Sequence, residues 1–176
     1  MNDDYFQLFG LPAGFFIDAD TLVLRYRELQ RAVHPDRHAG GTERERLLAV
    51  QQAARINDAY QTLKDPLARA RYLLSLQGIE LKETDTHMEP AFLMLQMELR
   101  EALEETAQAA DPFEALARLR AQADEIETNL LGELATLFQA ERESWTRIPE
   151  RLRKLQFMRK LQDEIDERED ELADGI

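Results

Sequence analysis

The sequence predicts an all-α fold, and three observations carry the prediction. Long runs of Ala, Leu, Glu, Arg and Gln, all good helix formers, fill a chain of 176 residues. Glycine (7) and proline (6) are scarce, so few positions interrupt a helix. Apolar residues recur at helical spacing, and no alternating β-rich run competes with them. With 44% apolar and 32% charged residues the chain has enough apolar content for a core and too much periodicity for disorder. Its length suits one domain or two small ones.

The elements follow in chain order. Asp4 to Phe9 reads as a short apolar helical turn closed by Gly10-Leu11-Pro12. Asp18 suits an N-cap, with Asp20 adding favourable charge to the first turn of an amphipathic helix that runs through Leu22 to Val33. Leu22, Leu29 and Val33 should face a partner helix, whereas Arg27 and Arg31, four apart, share another face with Tyr26 beside them. His34-Pro35-Asp36 must end that helix: Pro35 has a fixed φ, lacks an N–H and drives His34 out of the α region. After Gly40-Gly41 a helix from about Thr42 to Leu63 places Leu47, Val50, Ala54, Asn57 or Asp58, and Leu63 near core spacing, and Lys64-Asp65-Pro66 closes it. A short helix over Leu67 to Leu76 carries Tyr72, Leu73 and Leu74 and ends at Gly78, which suits a left-handed cap. Residues 77–89 are polar, contain Thr84-Asp85-Thr86-His87, and form the expected linker between a domain at 1–76 and a second at 90–176. Three helices are predicted beyond it: Pro90 to Ala109, a second opened by Asp111-Pro112 and ending near Glu143, and a third from Arg147 to about Leu172. Short connections make consecutive ones antiparallel neighbours in a three-helix bundle.

Composition excludes several function classes. Without cysteine there is no disulfide, thiolate nucleophile or Cys-ligated zinc or iron–sulfur cluster. Met1-Asn2-Asp3-Asp4-Tyr5 is acidic and has no apolar signal region, and no run approaches the roughly 18 apolar residues of a membrane span, so a cytoplasmic protein is expected. The net charge of −13 is uneven: residues 1–76 balance at about 10 basic and about 10 acidic, leaving about 12 and about 25 for the rest. So acidic a domain is a poor partner for a phosphate backbone, and nucleic acid is not expected. His34 and His38 have no third ligand near in sequence, and Pro35 separates them, so no metal site is expected. Neither an activated Ser nor a Cys accompanies His34 and Asp36, so no catalytic residue is assigned and no enzyme is expected.

The basic helix, the His34-Pro35-Asp36 corner, the opening Tyr5-Phe6-x-Leu8-Phe9-Gly10-Leu11 and the run Ile56-Asn57-Asp58-Ala59-Tyr60-Gln61-Thr62-Leu63 resemble a J-domain, the Hsp70-activating module. The resemblance implies a helical hairpin with short flanking helices. It also implies that His34, Pro35 and Asp36 dock on an Hsp70 and stimulate its ATP hydrolysis, with Tyr26, Arg27 and Arg31 on the contacting face and Arg25 as a further candidate. Arg37 follows the tripeptide where Lys is common, a change that keeps the charge.

The helix from Pro90 suggests a second partner. At 100° per residue Phe92, Leu95, Leu99, Leu103 and Thr106 fall within about 80° and form a core stripe, while Leu93, Met94 and Met97 lie opposite, over about 100°, among Glu98, Glu101, Glu104 and Glu105. Either the third helix covers this second apolar patch as core, or a partner does; methionine suits an adaptable binding surface. The stretches Ala91-Phe92-Leu93-Met94-x-Gln96-Met97-Glu98-Leu99-Arg100-Glu101 and Leu152-Arg153-Lys154-Leu155-Gln156-Phe157-Met158-Arg159-Lys160-Leu161, with Tyr72-Leu73-Leu74-Ser75-Leu76, resemble the HscB family, the J-proteins of bacterial iron–sulfur cluster assembly. That resemblance spans nearly the whole chain. It implies two protein partners, the specialised Hsp70 HscA for the J-domain and the cluster scaffold IscU for the bundle. The scaffold-binding residues would be Leu93, Met94, Met97, Glu98, Glu101, Glu105 and Phe157. Met97 stands where Leu is common, a volume-tolerant change. No cofactor is implied, since no Gly-rich phosphate loop or Cys ligand exists to hold one. A J-protein serving another Hsp70 client is the alternative.

Overall fold

A computed structural model describes residues 4–34, 42–79, 81 and 88–174, and all its regular elements are helical. The chain forms two compact units, residues 1–80 and 81–176.

In the first unit α1 (Tyr5–Phe9), α2 (Ala19–Ala32), α3 (Glu43–Lys64) and α4 (Pro66–Leu76) follow one another. Local chemistry sets their ends. Asp4 caps α1 by accepting from the Gln7 N–H, and Gly10 ends it with φ +63°, where a Cβ would be strained. The Asp18 carboxylate caps α2. Thr42 and Glu45 form a reciprocal capping box at the start of α3: the Thr42 N–H donates to Glu45 Oε2 at 2.7 Å, and the Glu45 N–H donates to Thr42 Oγ1 at 3.3 Å. Asp65 ends α3 and caps α4, whose first residue is Pro66. Gly78 lies just past α4 with φ +69°.

The core of this unit joins Phe6, Phe9, Leu22, Ile56, Ala59, Leu63, Ala70 and Leu74, all buried. Val33 is buried and Leu29 half-buried, as the spacing in α2 predicts. The expected inner face of α3 is wrong except for Leu63. Leu47, Val50, Ala54, Asn57 and Asp58 are exposed, and the buried stripe is Ala49, Ile56, Ala59 and Leu63. The physical reason is which face carries the recognisable signal. At 100° per residue Ala49, Ile56, Ala59 and Leu63 fall within about 80°, with Leu47, Val50, Ala54, Asn57 and Asp58 on the opposite side, and alanine at two of the four buried positions leaves the inner face the less apolar in appearance. Arg69, also buried, donates from Nη1 to the Leu63 carbonyl at 2.7 Å, satisfying a terminal carbonyl of α3, and its guanidinium lies 5.2 Å over the Phe15 ring.

The second unit is α5 (Pro90–Glu105), a 3₁₀ turn at Thr106–Gln108, α6 (Pro112–Gln139), a 3₁₀ segment at Arg142–Arg147, and α7 (Ile148–Asp174). Between α6 and α7, Arg120 pairs with Asp166 and Glu169, Gln162 donates to Asp124, Arg159 pairs with Glu127, and Arg151 with Glu133. Numbers rise on one helix as they fall on the other, so these two are antiparallel. Glu89 pairs with Lys154 and Arg100 with Glu164, so α5 runs parallel to α7 and the bundle is up–down–up. Its core includes Phe92, Leu99, Leu103, Leu116, Leu119, Ala123, Leu130, Met158, Leu161 and Ile165.

Two predicted ends move. The Pro90 helix stops at Glu105, where Thr106 turns its hydroxyl onto the Leu103 carbonyl at 2.6 Å and begins a 3₁₀ turn. The second helix stops at Gln139 rather than near Glu143, because Ala140 leaves the helical region and its N–H closes on the Thr136 and Leu137 carbonyls.

Candidate functional site

The first candidate surface belongs to α2. Val33 forms its C-cap, donating its N–H to the Leu29 carbonyl, and His34 follows as an exposed residue. Pro35 and Asp36 lie outside the described residues, as do His38 and the Gly40-Gly41 pair. Arg27 and Arg31 are exposed one helical turn apart, as their spacing predicts. Arg25 is ion-paired to Glu28 at 3.0 Å. Tyr26 is held against α3: its hydroxyl donates to Asn57 Oδ1 at 2.8 Å, and its ring stacks on Tyr60 with centroids 4.1 Å apart. Gln30 Nε2 donates to the same Asn57 oxygen at 2.6 Å. The face therefore offers two cations in solvent beside a tyrosine whose orientation α3 sets.

The second surface is the outer side of α5. Phe92, Leu99, Leu103 and Thr106 are buried and Leu95 half-buried, which matches the predicted stripe. Opposite them Leu93, Met94 and Met97 are 46%, 64% and 72% exposed, so α7 does not cover them. Glu98, Glu101, Glu104 and Glu105 are exposed around them. The result is an apolar patch with an acidic rim, suited to a partner that brings apolar side chains and positive charge.

Phe157 reaches the edge of this surface from α7 and is half-buried. Its ring meets Phe92 edge-on at 5.9 Å, and the Arg100 guanidinium lies 5.6 Å from its centroid. On the other side of Phe92, Lys154 Nζ lies 5.1 Å over the ring while bonding Glu89 at 2.9 Å and Glu150 at 3.1 Å. Lys154 is 7% exposed, and its hydrogen bond and charge hold the Glu89 carboxyl below its usual range. Lys154, Phe92, Phe157 and Arg100 thus form one row, drawn alternately from α7 and α5. The sequence reading gave Lys154 and Arg100 no role. The available signal was a lysine lying within the apolar stripe Leu152, Leu155, Met158, where a charge needs a partner.

Among the described residues no group of three or more His, Cys, Asp or Glu could hold a metal ion, and no helix is long and apolar enough to cross a membrane.

Comparison with known proteins agrees with both halves of this geometry. Residues 4–72 match the family model of the DnaJ domain, and residues 88–166 match that of the HSCB C-terminal oligomerisation domain. The co-chaperone protein HscB homologue of Vibrio cholerae serotype O1 is 50% identical over 171 residues, covering 96% of this chain and 98% of its own. That of Shewanella frigidimarina is 49% identical over 173 residues, covering 97% and 99%. The solved chaperone HscB from Vibrio cholerae superposes with a TM-score of 0.87 at 47% identity, covering 97% of this chain and 99% of that one. Human co-chaperone HscB superposes at 0.86 with 31% identity, covering 96% and 83%. A DnaJ-type domain joined to an HscB-type helical domain, with identity of this order over nearly the full length, places the chain in the HscB family of co-chaperones.

Proposed function

We propose that this co-chaperone stimulates ATP hydrolysis by the specialised Hsp70 HscA and delivers the iron–sulfur scaffold IscU to it, in the cytoplasm. The observation that carries the reading is the exposed, acid-rimmed patch Leu93, Met94 and Met97 in the same chain as a J-domain. In this division of labour residues 1–76 act on the Hsp70, 77–89 link, and 90–176 hold the scaffold. His34, Pro35 and Asp36 act as the trigger, with Tyr26, Arg27 and Arg31 meeting an acidic Hsp70 surface. Proline's fixed φ restricts the conformations open to such a tripeptide, which would lower the ordering cost of docking. No bond is made or broken by this chain; the hydrolysis belongs to the Hsp70. Glu98, Glu101 and Glu105 steer the scaffold toward the apolar patch, and Phe157 extends the contact at its edge. Hydrolysis then traps the scaffold on the Hsp70 and favours transfer of its cluster.

Steady-state ATPase of purified HscA, with and without IscU, tests this. The wild-type chain should raise turnover and raise it further with IscU, and His34→Gln should abolish stimulation in both cases. Unchanged HscA turnover with the wild-type chain would refute the reading.

A further inference from the structure

Resting on the scaffold-binding reading of α5, we propose that Lys154 and Arg100 are positioning residues. The row Lys154–Phe92–Phe157–Arg100 fixes the rotation of α5 on α7 and thereby the way Leu93, Met94 and Met97 are presented.

The need for such a device follows from how α5 is held. Its buried apolar residues are Phe92, Leu99 and Leu103, with Leu95 and Ala102 partly buried against the same core. This stripe sets which face of α5 turns inward, but apolar burial is non-directional and tolerates small rotations about that orientation. The helix also lacks a side-chain N-cap hydrogen bond, and the Glu89 carboxylate at that position is engaged by Lys154. Ion pairs and cation–aromatic contacts are directional, and here they sit at both ends of the row. At one end Lys154 binds Glu89 and caps the Phe92 ring; at the other Arg100 covers Phe157 and reaches Glu164 at 3.4 Å. Phe92 directly precedes Leu93, and Arg100 lies one turn beyond Met97, so the two fixed points bracket the patch. Any rotation of α5 moves Leu93, Met94 and Met97 together and stretches the contacts at both ends of the row.

Two readouts on the full-length protein test this, one of them independent of any partner. The chain has no cysteine, so Ala91→Cys on α5 and Glu167→Cys on α7, both at exposed positions, take spin labels selectively. The label-to-label distance distribution should be narrow in the otherwise wild-type chain. It should broaden in Lys154→Met and in Arg100→Leu, and narrow again in Lys154→Arg and Arg100→Lys, which keep the cations. Calorimetric titration with IscU should show Kd rising about three- to tenfold in each broadened variant, with recovery in the charge-keeping ones. Because both cations hold one rotation, the double variant should weaken binding by less than the product of the single effects. Unchanged distance distributions would overturn the proposal, as would broadening without any loss of IscU affinity. If the distributions respond as stated and the wild-type chain binds no IscU, the positioning device stands and the scaffold reading fails.

Discussion

Replacing Leu93, Met94 and Met97 together by alanine separates a partner surface from a structural core. Complete burial of a Leu or Met side chain is worth about 1.5–3 kcal/mol. These three have between about half and three quarters of their surface exposed, so covering them against a partner contributes about 3–5 kcal/mol. Alanine keeps its own methyl, and the expected loss of IscU affinity is about two to three orders of magnitude. The same exposure predicts little effect on folding. Truncated core residues of this size cost about 2–5 kcal/mol each, whereas these sites should together change unfolding free energy by less than about 1 kcal/mol, with alanine's helix propensity partly offsetting lost contacts. The assay pairs calorimetric titration of IscU with urea unfolding of the same samples. A large fall in the unfolding midpoint would show that the three residues are core. Unchanged IscU affinity in a fully folded triple variant would show that the patch is not the scaffold contact.

Other perturbations have defined outcomes. Met158→Ala empties a fully buried position in the second core and should cost about 2–5 kcal/mol, read by urea unfolding through the fluorescence of Trp145, the single tryptophan of the chain. Thr42→Ala removes the capping box of α3 and should cost about 1 kcal/mol, with faster amide exchange confined to the first turns of that helix. The Glu89 carboxyl titrates below its ordinary 4.5 because of the Lys154 hydrogen bond and charge. Its contribution to stability is therefore complete above about pH 4.5 and lost as pH falls through the lowered folded-state value; a carbon-detected NMR titration should show that value rise toward 4.5 in Lys154→Met. Arg27→Glu with Arg31→Glu should weaken HscA stimulation most at low salt, with the difference from wild type shrinking as ionic strength screens the charges.

The helices were legible where punctuation is local. Asp4, Asp18, Thr42, Asp65 and Asp111 each mark a helix start with a side chain that bonds a nearby N–H, and Gly10 and Gly78 supply the left-handed turns. That α5 carries two separate apolar sets was also readable, because 100° periodicity divides them, but whether the third helix covers the second set was not. The inner face of α3 was not, since its buried alanines carry a weaker hydrophobic signal than the exposed Leu47, Leu48 and Val50. Nor was the 3₁₀ segment Arg142–Arg147, whose Ser144 N–H bonds the Glu141 carbonyl in a pattern with no composition of its own. The Lys154–Phe92–Phe157–Arg100 row escaped for a different reason. Its members are brought together by packing between helices far apart in sequence, which no periodicity along one helix reports.

The parallel placement of α5 beside α7 has a consequence for the order in which this unit assembles. Cross-links within the α6–α7 hairpin join residues 18 to 49 positions apart, whereas those from α5 to α7 join residues 64 or 65 apart. Closing the longer loop costs more chain entropy before any contact repays it, so the α6–α7 pairing is expected to form ahead of the α5–α7 contacts. The same asymmetry predicts that in a sub-global opening α5 detaches before α6 and α7 part, an order that amide hydrogen exchange would read. The helix that displays the candidate client face is then also the one whose amides should exchange first.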